Sequence, residues 1–187
     1  MAAVQGIEES AERVLARVPE WIWDGETLPV PVEKIADSWF GLLVREVDDL
    51  AGAPGAPVLS PGQSFSGLLL PGLGEIWVNA AEAREWPPRR RFTIGHELGH
   101  WCVHREGADD GAVYCREASV VEEEPAASDA RPARAPEEEE ANLFAAALLM
   151  PARLVRREYQ RDREFGGLCG RFEVSGAAMG RRLHAVI

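Results

Sequence analysis

Two histidines with a glutamate between them stand at His96-Glu97-Leu98-Gly99-His100. On a helix, residues four apart share a face, so both imidazoles can reach one metal ion. Glu97 lies about 100° around the helix from His96 and addresses a water beside the ion rather than the ion itself. That pattern suits metal-assisted hydrolysis, in which a Lewis acid makes water acidic and a carboxylate takes its proton.

Two ligands do not complete a catalytic zinc site, which has three protein ligands and an open position. The chain has only four histidines. His104 is one turn further along the same helix, and three ligands from one straight helix do not surround an ion. Its expected place is at the helix end, supporting the ligands from behind. A carboxylate from elsewhere is the better third ligand, and Glu137, Glu138, Glu139 and Glu140 open a later helix. Acids at a helix N-terminus also complement the helix dipole, and at least two of these four do only that.

Spacing singles out Glu138, although Glu137, Glu139 and Glu140 stay open on this reading. Asn142 lies four residues after Glu138 and is the one polar residue in the run Ala141–Met150. It can bond a ligating imidazole and fix its tautomer, or serve as a satisfied polar group of the core. Ala141, Ala145 and Ala146 let this helix approach the His96–His100 helix closely. Gly99 does the same from the other side, which accounts for a helix-interior glycine costing about 1 kcal/mol.

The elements that must position these residues follow from the hydrophobic pattern. Helices are expected over about 7–18, 32–40, 88–104, 137–149, 152–163 and 175–183, with Ser175 as N-cap of the last. A strand is expected over about 42–47. Residues 66–70 and 75–78 read as a hairpin closed by Pro71-Gly72-Leu73-Gly74. The fold class is α+β, helices packed on a short, mostly antiparallel sheet. Residues 1–187 are expected to form a single domain, with 1–27 as an N-terminal helical extension. Residues 105–136 carry Gly, Ala, Pro and a run of acids, and read as a long, flexible, solvated loop.

The chain is 187 residues long with a formal net charge of -11. Such acidity argues against direct nucleic-acid binding and against an anionic membrane surface. No stretch has the length and apolarity of a membrane span, and the N-terminus lacks the features of a secretory signal. Three cysteines form no disulfide framework and fit a reducing cytoplasm. Cys102 projects about 200° from His100 and is expected to pack in the core.

The stretches RRRFTIGHELGHWCVH (89–104) and EEEANLFAAALLMP (138–151) together resemble the ImmA/IrrE-type metallopeptidases. LPVPVEKIADSWFGLLV (28–44), SGLLLPGLGEIWVN (66–79) and FEVSGAAMGRRL (172–183) resemble further parts of that family. Gly95 stands where the family often has Ala. The resemblance implies a small thermolysin-like minimal core holding one zinc ion per chain. It implies His96, His100 and Glu138 as ligands and Glu97 as general base, and Asn142 matches the family's Asn. It also implies an endopeptidase acting on a protein substrate, a DNA-binding transcriptional repressor. Two other readings are a zinc-containing module that regulates a partner by contact, and a metallohydrolase of small substrates. Tyr114, Tyr159, His104, His184 and nearby arginines are the unranked candidates for stabilising an oxyanion.

Overall fold

The computed structural model describes residues 2–59, 63–104, 114–117 and 136–187. Its elements run in order α1 (Ala2–Arg17), α2 (Val32–Lys34, continuing into a π turn Ile35–Trp39), β1 (Leu43–Val47) and β2 (Phe65–Leu70). A 3-10 turn over Pro71–Leu73 leads to β3 (Glu75–Asn79), α3 (Ala80–Glu85) and α4 (Pro87–Gly99). A second π turn covers His100–His104, and β4 (Tyr114–Glu117) follows. The chain closes with α5 (Pro136–Leu149), α6 (Ala152–Arg161), α7 (Phe165–Phe172) and α8 (Gly176–Val186). Among the described residues no helix is long and apolar enough to cross a membrane.

The four strands lie in the order β1-β3-β2-β4. β1 runs parallel to β3, while β2 is antiparallel to both β3 and β4. The expected α+β architecture with a mostly antiparallel sheet is therefore what the chain forms. The 66–70/75–78 hairpin is present with its short turn, where Gly74 takes a left-handed φ of 66°. One face of β2 sends Leu69 into the main core, and the other sends Leu68 and Leu70 against Leu50 and Ala53.

The structure departs from the sequence reading in five places, one being the π turn Ile35–Trp39 within the helix expected over 32–40. Residues 114–117 pair with β2 instead of belonging to an unbroken loop over 105–136. The rest of that acidic segment, 105–113 and 118–135, lies outside the described residues. The helix expected over 88–104 is α-helical only to Gly99 and widens into the π turn beyond it. Two short helices appear that the hydrophobic pattern did not announce. Asn79 caps α3 by accepting from the Ala81 and Glu82 amides, and Glu164 caps α7 by accepting from Gly166 and Gly167.

Three consecutive arginines tie the N-terminal half to α4. Arg89 pairs with Glu82 at 3.2 Å, and Arg90 reaches Glu33 at 2.8 Å and Glu46 at 2.9 Å. Arg91 donates to the Val30 carbonyl at 2.8 Å. At the other end, buried Arg182 of α8 donates to the Met150 carbonyl at 2.8 Å and to Glu8 of α1 at 2.7 Å. α1 thereby packs on α5, burying Ile7 and Ala11.

α4 is held between α5 and β2 by the absence of side chains. A Cβ on Gly99 would lie 2.9 Å from Ala141 Cα, and one on Gly95 would lie 3.4 Å from Ala145 Cβ. The expected close approach of the two helices is thus realised at Ala141, which meets Gly99, and at Ala145, which meets Gly95. On the opposite side a Cβ on Gly67 would lie 2.3 Å from Thr93 Cγ2 and 3.1 Å from Glu97 Oε1.

Gly99→Ala and Gly67→Ala are each expected to destabilise the chain by about 1–3 kcal/mol through overpacking. Gly6→Ala, on an exposed stretch of α1 with nothing within 4 Å, is expected to stabilise it by about 0.5–1 kcal/mol. Thermal unfolding of the three variants checks the contrast. Equal melting temperatures for all three would remove the packing argument.

Candidate metal centre

α4 and α5 cross antiparallel, since the contacts pair Gly95 with Ala145 and Gly99 with Ala141. In that register His96 faces Asn142 and His100 faces Glu138. The i, i+4 spacing on each helix then brings two imidazoles and a carboxylate to one point.

His96 Nε2 lies 3.1 Å from His100 Nε2. Glu138 Oε2 lies 3.3 Å from His96 Nε2, and its Oε1 lies 3.1 Å from His100 Nε2. Both rings are buried, and the Glu138 side chain is 32% exposed. These three residues form a group able to hold one metal ion. Lone-pair atoms at these separations repel one another unless a cation or shared proton lies between them. Zinc bonded at about 2.0–2.1 Å in tetrahedral geometry would space its donors about 3.3 Å apart. The 3.1 Å spacing of the two imidazole nitrogens, and their 3.3 and 3.1 Å spacings to the two Glu138 oxygens, are of that size, so the residues fit such an ion.

The electrostatics agree with the geometry. Burial alone would raise the Glu138 carboxyl pKa. Hydrogen bonds from His100 and His96, together with the charge on their rings, outweigh it and hold the group well below the ordinary carboxylate range. A carboxylate kept ionised beside two imidazoles is an anionic ligand ready for a cation.

The neighbouring groups are fixed in turn. His96 Nδ1 lies 3.1 Å from Asn142 Oδ1. Because an amide oxygen only accepts, Nδ1 carries a proton, and in the neutral ring Nε2 then keeps its lone pair toward Glu138. His100 Nδ1 lies 3.1 Å from His104 Nδ1, and His104 Nε2 lies 2.9 Å from Glu140 Oε2. The Tyr114 ring stacks on the His100 ring, with centroids 4.9 Å apart and planes at 21°, while its hydroxyl donates to the His104 carbonyl at 3.2 Å. Glu97 is fully buried on α4 beside Gly67.

The structure brings His96, His100, Glu138, Asn142 and His104 together between α4 and α5, while Glu97, on the same helix, lies toward Gly67 of β2. Of the residues considered for an oxyanion, Tyr114 is engaged with His104 and His100 as described. Tyr159 lies on α6 with the Arg163 guanidinium 5.2 Å from its ring centroid, and His184 is exposed on α8. Cys102 packs against the main core, and burial pushes its thiol up to about 12. Sequence reasoning missed the contacts of Glu140 and Tyr114. Glu140 does not follow the α4–α5 register that selects Glu138 and Asn142, and Tyr114 arrives from a strand the composition hid.

The family model for the IrrE N-terminal-like domain, Peptidase M78, matches residues 74–184. That range contains β3, α3, α4 and α5 and every residue of the cluster. No curated protein matches the chain. The match covers more than half of the sequence, and the metal-competent group lies inside it. On these grounds the chain belongs to the IrrE N-terminal-like family of metallopeptidases.

Proposed function

We propose that this chain is a zinc-dependent endopeptidase of the cytoplasm that cleaves one specific protein, a DNA-binding transcriptional repressor. The observation that carries the hydrolytic reading is the convergence, within 3.1–3.3 Å, of His96 and His100 with Glu138 of α5, the first two flanking buried Glu97 in the sequence. The repressor substrate rests on the resemblance of the paired motifs at 89–104 and 138–151. The cytoplasmic assignment rests on the cysteine usage.

In this reading His96, His100 and Glu138 are the residues that would hold the ion. Zinc bound there supplies Lewis acidity, which polarises a carbonyl and makes water acidic near neutral pH. Glu97 accepts the proton of the attacking water and delivers it to the leaving amine nitrogen. Asn142 holds His96 in the tautomer whose Nε2 lone pair faces the ion. Gly67 leaves the Glu97 carboxylate room between α4 and β2. The cost of burying two imidazoles and a carboxylate supports a functional reading over a structural one, since an apolar pair of helices would pack more favourably.

Glu97→Gln is expected to bind zinc like the wild type and to lose about 10²–10⁴-fold in peptide-bond cleavage. Full activity in that variant would remove Glu97 from the mechanism. Glu138→Ala is expected to lose stoichiometric zinc and, with it, cleavage. Metal analysis of both purified proteins beside the wild type, with cleavage of a candidate repressor followed by gel and mass spectrometry, decides between the outcomes. Zinc retained in Glu138→Ala would move the third ligand elsewhere.

A further inference from the structure

Behind the proposed metal site a second layer of polar contacts runs from α5 back to α4. Glu140 Oε2 lies 2.9 Å from His104 Nε2, and His104 Nδ1 lies 3.1 Å from His100 Nδ1. His104 is only 10% exposed, and Glu140 is 33% exposed. We infer that Glu140 and His104 form a positioning relay that fixes which nitrogen of His100 carries its proton, and so presents the His100 Nε2 lone pair to the metal.

The argument is one of donors and acceptors. A carboxylate oxygen only accepts, so His104 Nε2 carries the proton of that contact. In a neutral imidazole the other nitrogen is then a bare acceptor, which places His104 Nδ1 as acceptor toward His100. The proton between the two rings therefore belongs to His100 Nδ1. His100 Nε2 is left with its lone pair, facing His96 Nε2 and Glu138 Oε1. The opposite arrangement, with His104 donating through Nδ1, would put a proton on His100 Nε2 and block a ligand position.

Two structural features keep the relay in register. The π turn over His100–His104 sets the two rings 5.2 Å apart by centroid, tilted at 51°. Tyr114 lies flat on the His100 ring and ties its hydroxyl to the His104 backbone, which restricts rotation of both. Each of the two imidazoles of the cluster thus has its own partner on Nδ1: Asn142 directly for His96, and Glu140 through His104 for His100. Glu140 is a positioning residue here; it meets neither the ion nor the substrate. The inference rests on the proposed metal site, and its test separates the two.

The test uses the full-length chain. Two-bond proton–nitrogen correlations distinguish the tautomers of its four histidines. Metal-free wild type is expected to show His104 as the Nε2–H tautomer, and Glu140→Ala to show a mixture at that residue. Zinc affinity, measured by competition with a chromophoric chelator, is expected to fall about 10–100-fold in Glu140→Ala. The melting temperature of the metal-free protein is expected to stay near that of the wild type. Glu140→Gln, whose amide oxygen still accepts from His104, is expected to restore zinc affinity to about that of the wild type. His104→Phe keeps the ring and loses both nitrogens, and is expected to weaken zinc by the same factor. It also serves if Glu140→Ala fails to fold. An Nδ1–H tautomer of His104 in the wild type, or unchanged zinc affinity in both Glu140→Ala and His104→Phe, overturns the relay. Zinc affinity unchanged in Glu138→Ala would instead overturn the metal site, while the His104 tautomer in the metal-free chain still decides the relay.

Discussion

The closeness of α4 to α5 is the constraint on which the site depends. Gly99 lies where any side chain would strike the Ala141 backbone, and Gly95 meets Ala145 one turn earlier. Side chains that converge between two helices need the helix axes near enough for short arms to meet. Histidine and glutamate reach only a few bonds from the backbone, so small residues at the crossing set where they converge. A glycine inside a helix costs about 1 kcal/mol, and here the close contact it permits offsets that cost. Gly67 repeats the device on the sheet side, where β2 runs close to Thr93 and Glu97.

The same crossing explains why so much of the cluster could be read from spacing. A helix with His96 and His100 four apart, and another with Glu138 and Asn142 four apart, each present two groups on one face. Antiparallel packing then aligns the pairs, and the Gly and Ala positions mark the faces that touch. What escaped the pattern lacked either periodicity or locality. β4 is four residues long within an acidic, apolar-poor stretch, and its pairing with β2 is set by partners about fifty residues away. α3 and α7 are too short for a hydrophobic stripe and depend on Asn79 and Glu164 as caps. The π turn beyond Gly99 has no marker in a sequence whose spacing still suits a plain helix.

The rest of the chain holds this helix pair in place. The guanidinium groups of Arg89, Arg90 and Arg91 anchor the start of α4 to Glu82, to Glu33 and Glu46, and to the Val30 carbonyl. Partly solvated pairs of this kind contribute little to stability one at a time, but their shared origin on one turn of α4 fixes its direction. Arg182 is different because it is buried. It joins α8, the Met150 carbonyl at the end of α5, and Glu8 of α1, so losing either partner would leave a buried charge unmatched. The N-terminal helix is thus packed on α5 by Ile7 and Ala11 and latched by Glu8, although its sequence reads as an appended segment.

A buried polar cluster is tolerable only when each member has a defined partner, because a half-satisfied network costs more than an apolar core. The contacts around α4 meet that condition as an ordered series. Asn142 answers His96, His104 answers His100, Glu140 answers His104, and the Tyr114 hydroxyl answers the His104 carbonyl. What the protein leaves facing inward from this series is the group of electron-rich atoms on His96, His100 and Glu138. Each outer contact removes a proton or a rotamer choice from the inner residues, so the directions of those lone pairs are settled by the fold before any cation arrives. That preorganisation lowers the cost of binding, since the donors need not be turned at the moment of capture. It also explains why Glu138 needs to be only partly buried: its two buried neighbours supply the rigidity.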